Sequence, residues 1–299
     1  MRKYAKILYT DAGRMRYAFK TSIFLVFIAI CIGLKTHYAL RVEFPVITIS
    51  ALVISWVLIH FIEKRPIATL GLSWTIFTTR HFYMGLLIGA MMITFVVEMM
   101  TILGYATFEQ GTHTLDEGIK LCADQFVFFL FAAAAEELVF RGYLYQTAIE
   151  SSNPFIATII FSAFFSVAHF SNPGITALAF LNIFLAGIWL SIAYLRTRQL
   201  WLPIALHTSW NFFQGTIFGA DVSGNPVTGH LLTLTTNGPE WITGGSFGPE
   251  GGILTTIALI FGIIAVNILP QFHISPDQYA LMHRVRYAED YAVVFPSKE

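Results

Sequence analysis

Charged residues are scarce in this chain. Asp, Glu, Lys and Arg make up 12% of its 299 residues, about half of the rough quarter usual in soluble domains. The few charges cancel to a formal net charge of zero, so the basic footprint of a nucleic-acid partner is missing. Only two cysteines occur, Cys31 and Cys122, far apart and without a CxxC. That argues against a disulfide scaffold and against a thiolate zinc site. The helical zinc-peptidase signature HExxH is absent, and no internal repeat is visible.

Apolar residues are plentiful instead, at 56% of the chain, with 28 phenylalanines. A bilayer crossing takes about 20 of them in a row. Runs of that kind lie at about 18–36, 44–62, 82–104, 121–147, 155–171, 175–195, 201–218 and 252–269. They predict an all-α integral membrane protein, a bundle of about eight transmembrane helices in one polytopic domain over 1–299. A basic lead occupies 1–17, a polar loop 219–251 and a tail 270–299. The first run follows a basic lead and no small-residue cleavage pattern follows it, so it reads as a span rather than a signal peptide. Asn153-Pro154 and Asn172-Pro173-Gly174 are tight-turn signals around the fifth run. Gly85 and Gly89 form a GxxxG, where a second helix can approach closely.

The sparse charges set an orientation. Arg2, Lys3, Lys6, Arg14, Arg16 and Lys20 precede the first run. Lys64, Arg65 and Arg80 follow the second, Arg196 and Arg198 the sixth, and Arg284, Arg286 and Lys298 the last. An even number of spans puts all of these on one side. The other side holds Glu109, Asp116 and Glu117, then Asp221, Glu240 and Glu250 in a loop without Lys or Arg. The positive-inside rule makes both termini cytoplasmic, as expected of a multi-pass plasma-membrane protein. Lys35 and Arg41 run against the pattern.

Two adjacent glutamates, Glu136 and Glu137, sit inside the apolar fourth run. Carboxylates at such depth are costly and point to function. Arg141 is one helical turn from Glu137 and can neutralise it, which leaves Glu136 without a partner nearby in sequence. Further polar groups end the fifth run, at Phe165 and His169, and occupy the seventh, at His207 and Asn211. Each of those pairs is spaced i, i+4 and so shares a helix face. A carboxylate, two imidazoles and an amide converging between the fourth, fifth and seventh helices suit water attack on an amide. The carboxylate would act as general base, and imidazole and amide donors would stabilise the oxyanion. Taken singly the residues say less. His169 or His207 alone reads as an interfacial histidine, Asn211 as interhelical glue, Phe165 as packing and Glu98 as an orphan carboxylate. The remaining histidines, His37, His60, His81, His113, His230, His273 and His283, read as loop or interface residues. One geometric demand follows. At about 1.5 Å per residue, His207 lies near the cytoplasmic third and His169 nearer the far side. Convergence therefore needs a later helix start, a tilt or a re-entrant bend.

The ordered set Glu136-Glu137-x-x-x-Arg141, Phe165-x-x-x-His169 and His207-x-x-x-Asn211 resembles the three motifs of the CPBP family. That family comprises CAAX prenyl endopeptidases and Abi-like bacteriocin-processing or immunity proteins. The glycine-rich segment 244–252 resembles the family's carboxy-terminal loop. The resemblance implies an intramembrane endopeptidase acting on a peptide or lipidated protein substrate amid membrane lipids. It implies Glu136 as base, His169 holding the water, His207 and Asn211 at the oxyanion, and Glu137, Arg141 and Phe165 in support. It leaves two mechanisms open: metal-free glutamate catalysis, or a metalloprotease whose zinc is held by Glu136, His169 and His207. The rival readings are a non-catalytic membrane immunity or scaffold protein that binds a peptide, and a proton-coupled transporter. No inverted repeat supports the transporter.

Overall fold

The computed structural model describes residues 16–37 and 43–286. The charges expected in the lead at Arg2, Lys3, Lys6 and Arg14, Arg41, and the tail beyond 286 lie outside the described residues. Helices form over each expected apolar run: α1 (Tyr17–His37), α2 (Glu43–Val57, extended by a π-turn Leu58–Ile62), α3 (Ile76–Ile102), α4 (Leu115–Phe140), α5 (Tyr143–Ser151), α6 (Pro154–Ala168), α7 (Ala177–Thr197), α8 (Trp201–Phe212, extended by a π-turn Phe213–Ile217), α9 (Ile253–Ile268) and the polar α10 (Pro276–Arg286). The expected fourth span is thus two helices, broken at Arg141-Gly142. Among the described residues four segments are long and apolar enough to cross a membrane: Phe44–Ile62, Ile76–Ile102, Leu115–Ser151 and Ala177–Thr197. Helices α6 and α9 are equally apolar but shorter. Their outward side chains are bare hydrocarbon, among them Phe164, Val167, Ile260, Phe261 and Ile264. Such a belt is stable against lipid and not against water.

The helix starts are written in the sequence. Thr75 and Thr114 open α3 and α4 with reciprocal capping boxes to Thr78 and Glu117. Asn153 accepts from the Phe155 amide while Pro154 supplies the first helical φ of α6. Each arrangement satisfies amides that have no partner inside the helix. The GxxxG does bring two helices together. A Cβ on Gly85 would stand 2.8 Å from Ala205 Cβ, and one on Gly89 would overlap Ser209 and the Leu206 carbonyl, so α3 lies directly on α8. Gly187 does the same for α6 and α7, where a Cβ would meet Ser162 Cβ at 2.8 Å.

The polar 219–251 segment is not featureless. Its strand β2 (Leu232–Thr236) pairs antiparallel with β1 (Ala106–Gln110), with Phe108 opposite Leu234. Among the described residues this two-stranded ribbon is the one sheet in an otherwise helical fold. Alternating Thr in 232–236 is compatible with a strand, but its partner is more than a hundred residues away.

Contacts separate two faces. On one, Lys20 Nζ meets Glu63 at 2.6 Å, Arg65 meets Glu150 at 2.9 Å, and Gln278 donates to the Arg198 carbonyl at 3.2 Å. On the other, Gln125 donates to the Thr228 carbonyl at 2.9 Å and Asn172 to the Ser223 carbonyl at 2.9 Å, beside the β-ribbon. We call these the basic and the acidic face. His81, expected at a loop or interface, is instead buried, with its ring nitrogens facing Gln199 Oε1 and the Gln271 carbonyl. Glu98 lies on the exposed side of α3.

Candidate active site

The last turns of α4 carry Glu136 and Glu137 in opposite circumstances, because consecutive residues on a helix point about 100° apart. Glu137 is fully buried. Its Oε1 accepts from Arg141 Nη1 at 3.1 Å and lies 3.0 Å from His207 Nδ1. Arg141, also fully buried, spends its other donors on the Gly187 carbonyl (3.1 Å) and Ser191 Oγ (3.4 Å). Its guanidinium also sits 4.4 Å from the Phe165 ring centre. A buried charge is tolerable when paired and hydrogen-bonded in this way.

Glu136 points into a cavity. Its side chain is 26% exposed, and its Oε2 lies 3.8 Å from His169 Nε2 and 3.9 Å from His207 Nε2. That oxygen is buried and has no hydrogen-bond partner among the described residues. Both imidazoles are oriented through their other nitrogen. His169 Nδ1 is 2.7 Å from the Phe165 carbonyl, and His207 Nδ1 faces Glu137. With Nδ1 so engaged, each ring turns its Nε2 toward Glu136. The buried Phe165 ring lies 4.8 Å from that of His169, 6.2 Å from that of His207, and under Arg141.

The demand for convergence is met by helix lengths. From Glu136 the chain runs fifteen residues down through α5 to Ser151, and α6 returns over Pro154–Ala168, so that His169 comes back level with Glu136. The turn from α7 to α8 is not at the surface. Gln199 and Leu200 are buried, and the Leu200 amide donates to the Gly71 carbonyl at 2.9 Å. Helix α8 therefore starts inside the protein, and His207, two turns along, reaches the same height.

Glu136, His169, His207 and Asn211 line one cavity of about 760 Å³. Its walls are apolar at Phe44, Phe128 and Phe140 and polar at Asn172, Ser223 and Asn225. A recess of about 40 Å³ shares His169, His207, Asn211 and Ser223 with it and extends between α7 and α9 toward Trp189 and Leu259. Sequence reasoning missed one lining residue of this recess, Glu250, which it had assigned to an outer loop. Glu250 is buried and accepts from Trp210 Nε1 (3.2 Å), the Ser223 amide (2.6 Å) and Ser223 Oγ (2.8 Å). Burial pushes its carboxyl above the usual range, while the Ser223 donors pull it back. Ser223 itself holds φ +48°, a left-handed conformation uncommon for a side-chain-bearing residue. The signal available was the surrounding Gly-Pro-Glu-Gly-Gly. Gly244 and Gly248, with φ of +83° and +87°, fold that segment onto itself so tightly that a Cβ on Gly244 would overlap the Gly248 carbonyl.

The proposed zinc set was Glu136, His169 and His207. Among the described residues no group of three His, Cys, Asp or Glu side chains closes to metal-ligating geometry. The side chains as arranged do not fit a zinc site.

A family model described as type II CAAX prenyl endopeptidase Rce1-like matches residues 119–213. That segment holds all three motifs. The chain is also 25% identical over 236 residues to the uncharacterized protein YyaK of Bacillus subtilis (strain 168), covering 71% of this chain and 69% of that one. The segment from Glu136 to Asn211, which supplies the cavity's carboxylate, imidazoles and amide, thus lies within a stretch similar to the Rce1-like CAAX prenyl endopeptidases, and the long apolar helices make this a membrane protein.

Proposed function

We propose that the protein is an intramembrane endopeptidase that hydrolyses a peptide bond of a lipidated or membrane-anchored substrate, with water activated by Glu136. The observation that carries this reading is the Glu136 Oε2 atom, unpartnered and facing two imidazole Nε2 atoms at 3.8 and 3.9 Å. A water between Glu136 and His169 donates one hydrogen to each. Its oxygen attacks the scissile carbonyl carbon as its proton passes to Glu136. A protonated His207 donates from Nδ1 to Glu137 and from Nε2 to the developing oxyanion, and the Asn211 amide adds a second donor. One such donor was worth about 3–4 kcal/mol in a studied protease. Collapse of the tetrahedral intermediate breaks the C–N bond, and Glu136 returns the proton to the leaving amine.

The cavity suits an anchored peptide. The wall formed by Phe44, Phe128 and Phe140 accepts an apolar anchor, and the wall formed by Asn172, Ser223 and Asn225 offers hydrogen bonds to an extended backbone. A helical substrate hides its amides, so the cleaved segment must be extended on arrival.

The test is cleavage of a prenylated CAAX peptide by detergent-purified protein, with and without chelator. Glu136-dependent turnover that survives chelation supports the metal-free mechanism. Undiminished turnover by Glu136→Gln overturns the role of Glu136. A peptide that is bound and never cut returns the reading to a scaffold.

A further inference from the structure

We propose that the substrate's scissile segment reaches Glu136 from the acidic face, and that this face is outside the cytoplasm; for its chemistry the inference rests on the endopeptidase reading. The substrate is then a membrane-anchored or exported peptide whose cleavable segment has left the cytoplasm.

The first argument is the shape of the cavity. It follows α4 from Glu136 back through Ala132, Phe128 and Gln125 to Asp124, a helical distance of about 18 Å. Along the opposite wall stand Val222, Ser223, Asn225, Pro226 and Thr228. Asp124, Asn225, Pro226 and Thr228 are exposed, so the mouth lies among segments joined to the acidic face by the Gln125–Thr228 and Asn172–Ser223 bonds.

The second argument is closure at the other end. No residue of the segments 63–80, 196–200 or 271–278 lines the cavity. Below Glu136 the way is filled by the Glu137–Arg141 pair and by buried Leu138, Leu144, Tyr145, Tyr194 and Ile204, which pack in one apolar cluster. A peptide arriving from the basic face would have to displace a close-packed core.

The third argument is charge. The connections on the closed side carry Lys20, Lys64, Arg65, Arg80, Arg196 and Arg198 against Glu63, Glu150 and Asp277. Those on the open side carry Glu43, Glu109, Asp116, Glu117, Asp124, Asp221 and Glu240 against Lys35 and Lys120. Short connections rich in Lys and Arg stay in the cytoplasm, so the mouth is on the far side.

Two measurements separate this inference from the hydrolase reading. In a Cys31→Ser/Cys122→Ser background, Asn225→Cys and Lys64→Cys are exposed to a membrane-impermeant maleimide in intact cells. The expected result is labelling of Asn225→Cys at once and of Lys64→Cys only after permeabilisation. Any other pattern overturns the inference, whether or not the protein cuts anything. In sealed vesicles, a lipid-anchored fluorogenic peptide added from outside should be cut in right-side-out membranes in a Glu136-dependent way. Inside-out membranes should need detergent for the same turnover. Cleavage by intact inside-out vesicles overturns the inference. Labelling as expected with no turnover even in detergent keeps the side of access and removes the hydrolase.

Discussion

The carboxylate of Glu137 is fully buried, with Oε1 held by Arg141 and His207 at 3.1 and 3.0 Å, whereas that of Glu136, one residue earlier, keeps 26% of its side chain exposed and meets its two imidazoles only at 3.8 and 3.9 Å; the Oε2 of each has no hydrogen-bond partner among the described residues. One helix end thus makes two environments from the same side chain. The inner one faces α7 and α8, where the Gly187 carbonyl and Ser191 complete the shell of Arg141. The outer one faces the cavity. A carboxylate paired with a buried arginine fixes geometry, and one left unpaired in a cavity retains the capacity to take a proton. His207 links them: its Nδ1 belongs to the Glu137 environment and its Nε2 to that of Glu136.

If that division is right, the two glutamates fail differently when altered. Glu136→Gln is expected to lower kcat by about 10²–10⁴-fold, the range for a general base, with thermal unfolding in detergent almost unchanged. Glu137→Gln is expected to cost about 3–5 kcal/mol of stability, because it leaves the Arg141 charge buried with its acid gone. Adding Arg141→Met to that variant should return much of the loss, since a buried pair replaced by apolar bulk is often neutral. Equal loss of stability in both single variants would erase the comparison. His207→Ala probes the link. Loss of one oxyanion donor predicts a drop in kcat of about 10²-fold with KM little changed. A KM effect alone would assign His207 to binding.

Much of this was legible in the sequence, and the reason is periodicity. The i, i+4 pairs at Phe165/His169 and His207/Asn211 placed each pair on one face, and the apolar runs located the membrane helices to within about six residues, though neither the separate α5 nor the polar α10. Gly85 and Gly89 announced the α3–α8 contact because only a bare Cα admits such an approach. What was not legible depended on distant closure. The level at which His169 and His207 meet is set by the buried α7–α8 turn around Leu200, held by Gly71 from another part of the chain. The β-ribbon needs a partner strand more than a hundred residues away. Glu250 looked like a loop charge because its donors, Trp210 and Ser223, lie on other segments. The break at Arg141-Gly142 was hidden by continuous hydrophobicity on either side.

The smallest expected effect tests how tightly the two environments are coupled. Gly187 serves both. Its carbonyl accepts from Arg141, on the Glu137 side, and its missing side chain lets α6 approach so that His169 reaches Glu136. A Cβ at Gly187 would stand 2.8 Å from both Cα and Cβ of Ser162. Overpacking of this kind costs about 1–3 kcal/mol, and Gly187→Ala should lose that much in detergent unfolding. The informative quantity is kcat in the same variant. If α6 moves outward to relieve the clash, His169 recedes from Glu136 and kcat falls. If α7 gives way instead, the Gly187 carbonyl leaves Arg141, and stability falls with kcat nearly intact. We expect the first outcome, because α6 is the shorter helix and faces lipid along Phe164 and Val167, while α7 is anchored by buried Trp189, Leu190 and Tyr194. Ser162→Gly in the same chain removes the clashing Cβ and Oγ, and should restore part of kcat only if α6 is the element that moved.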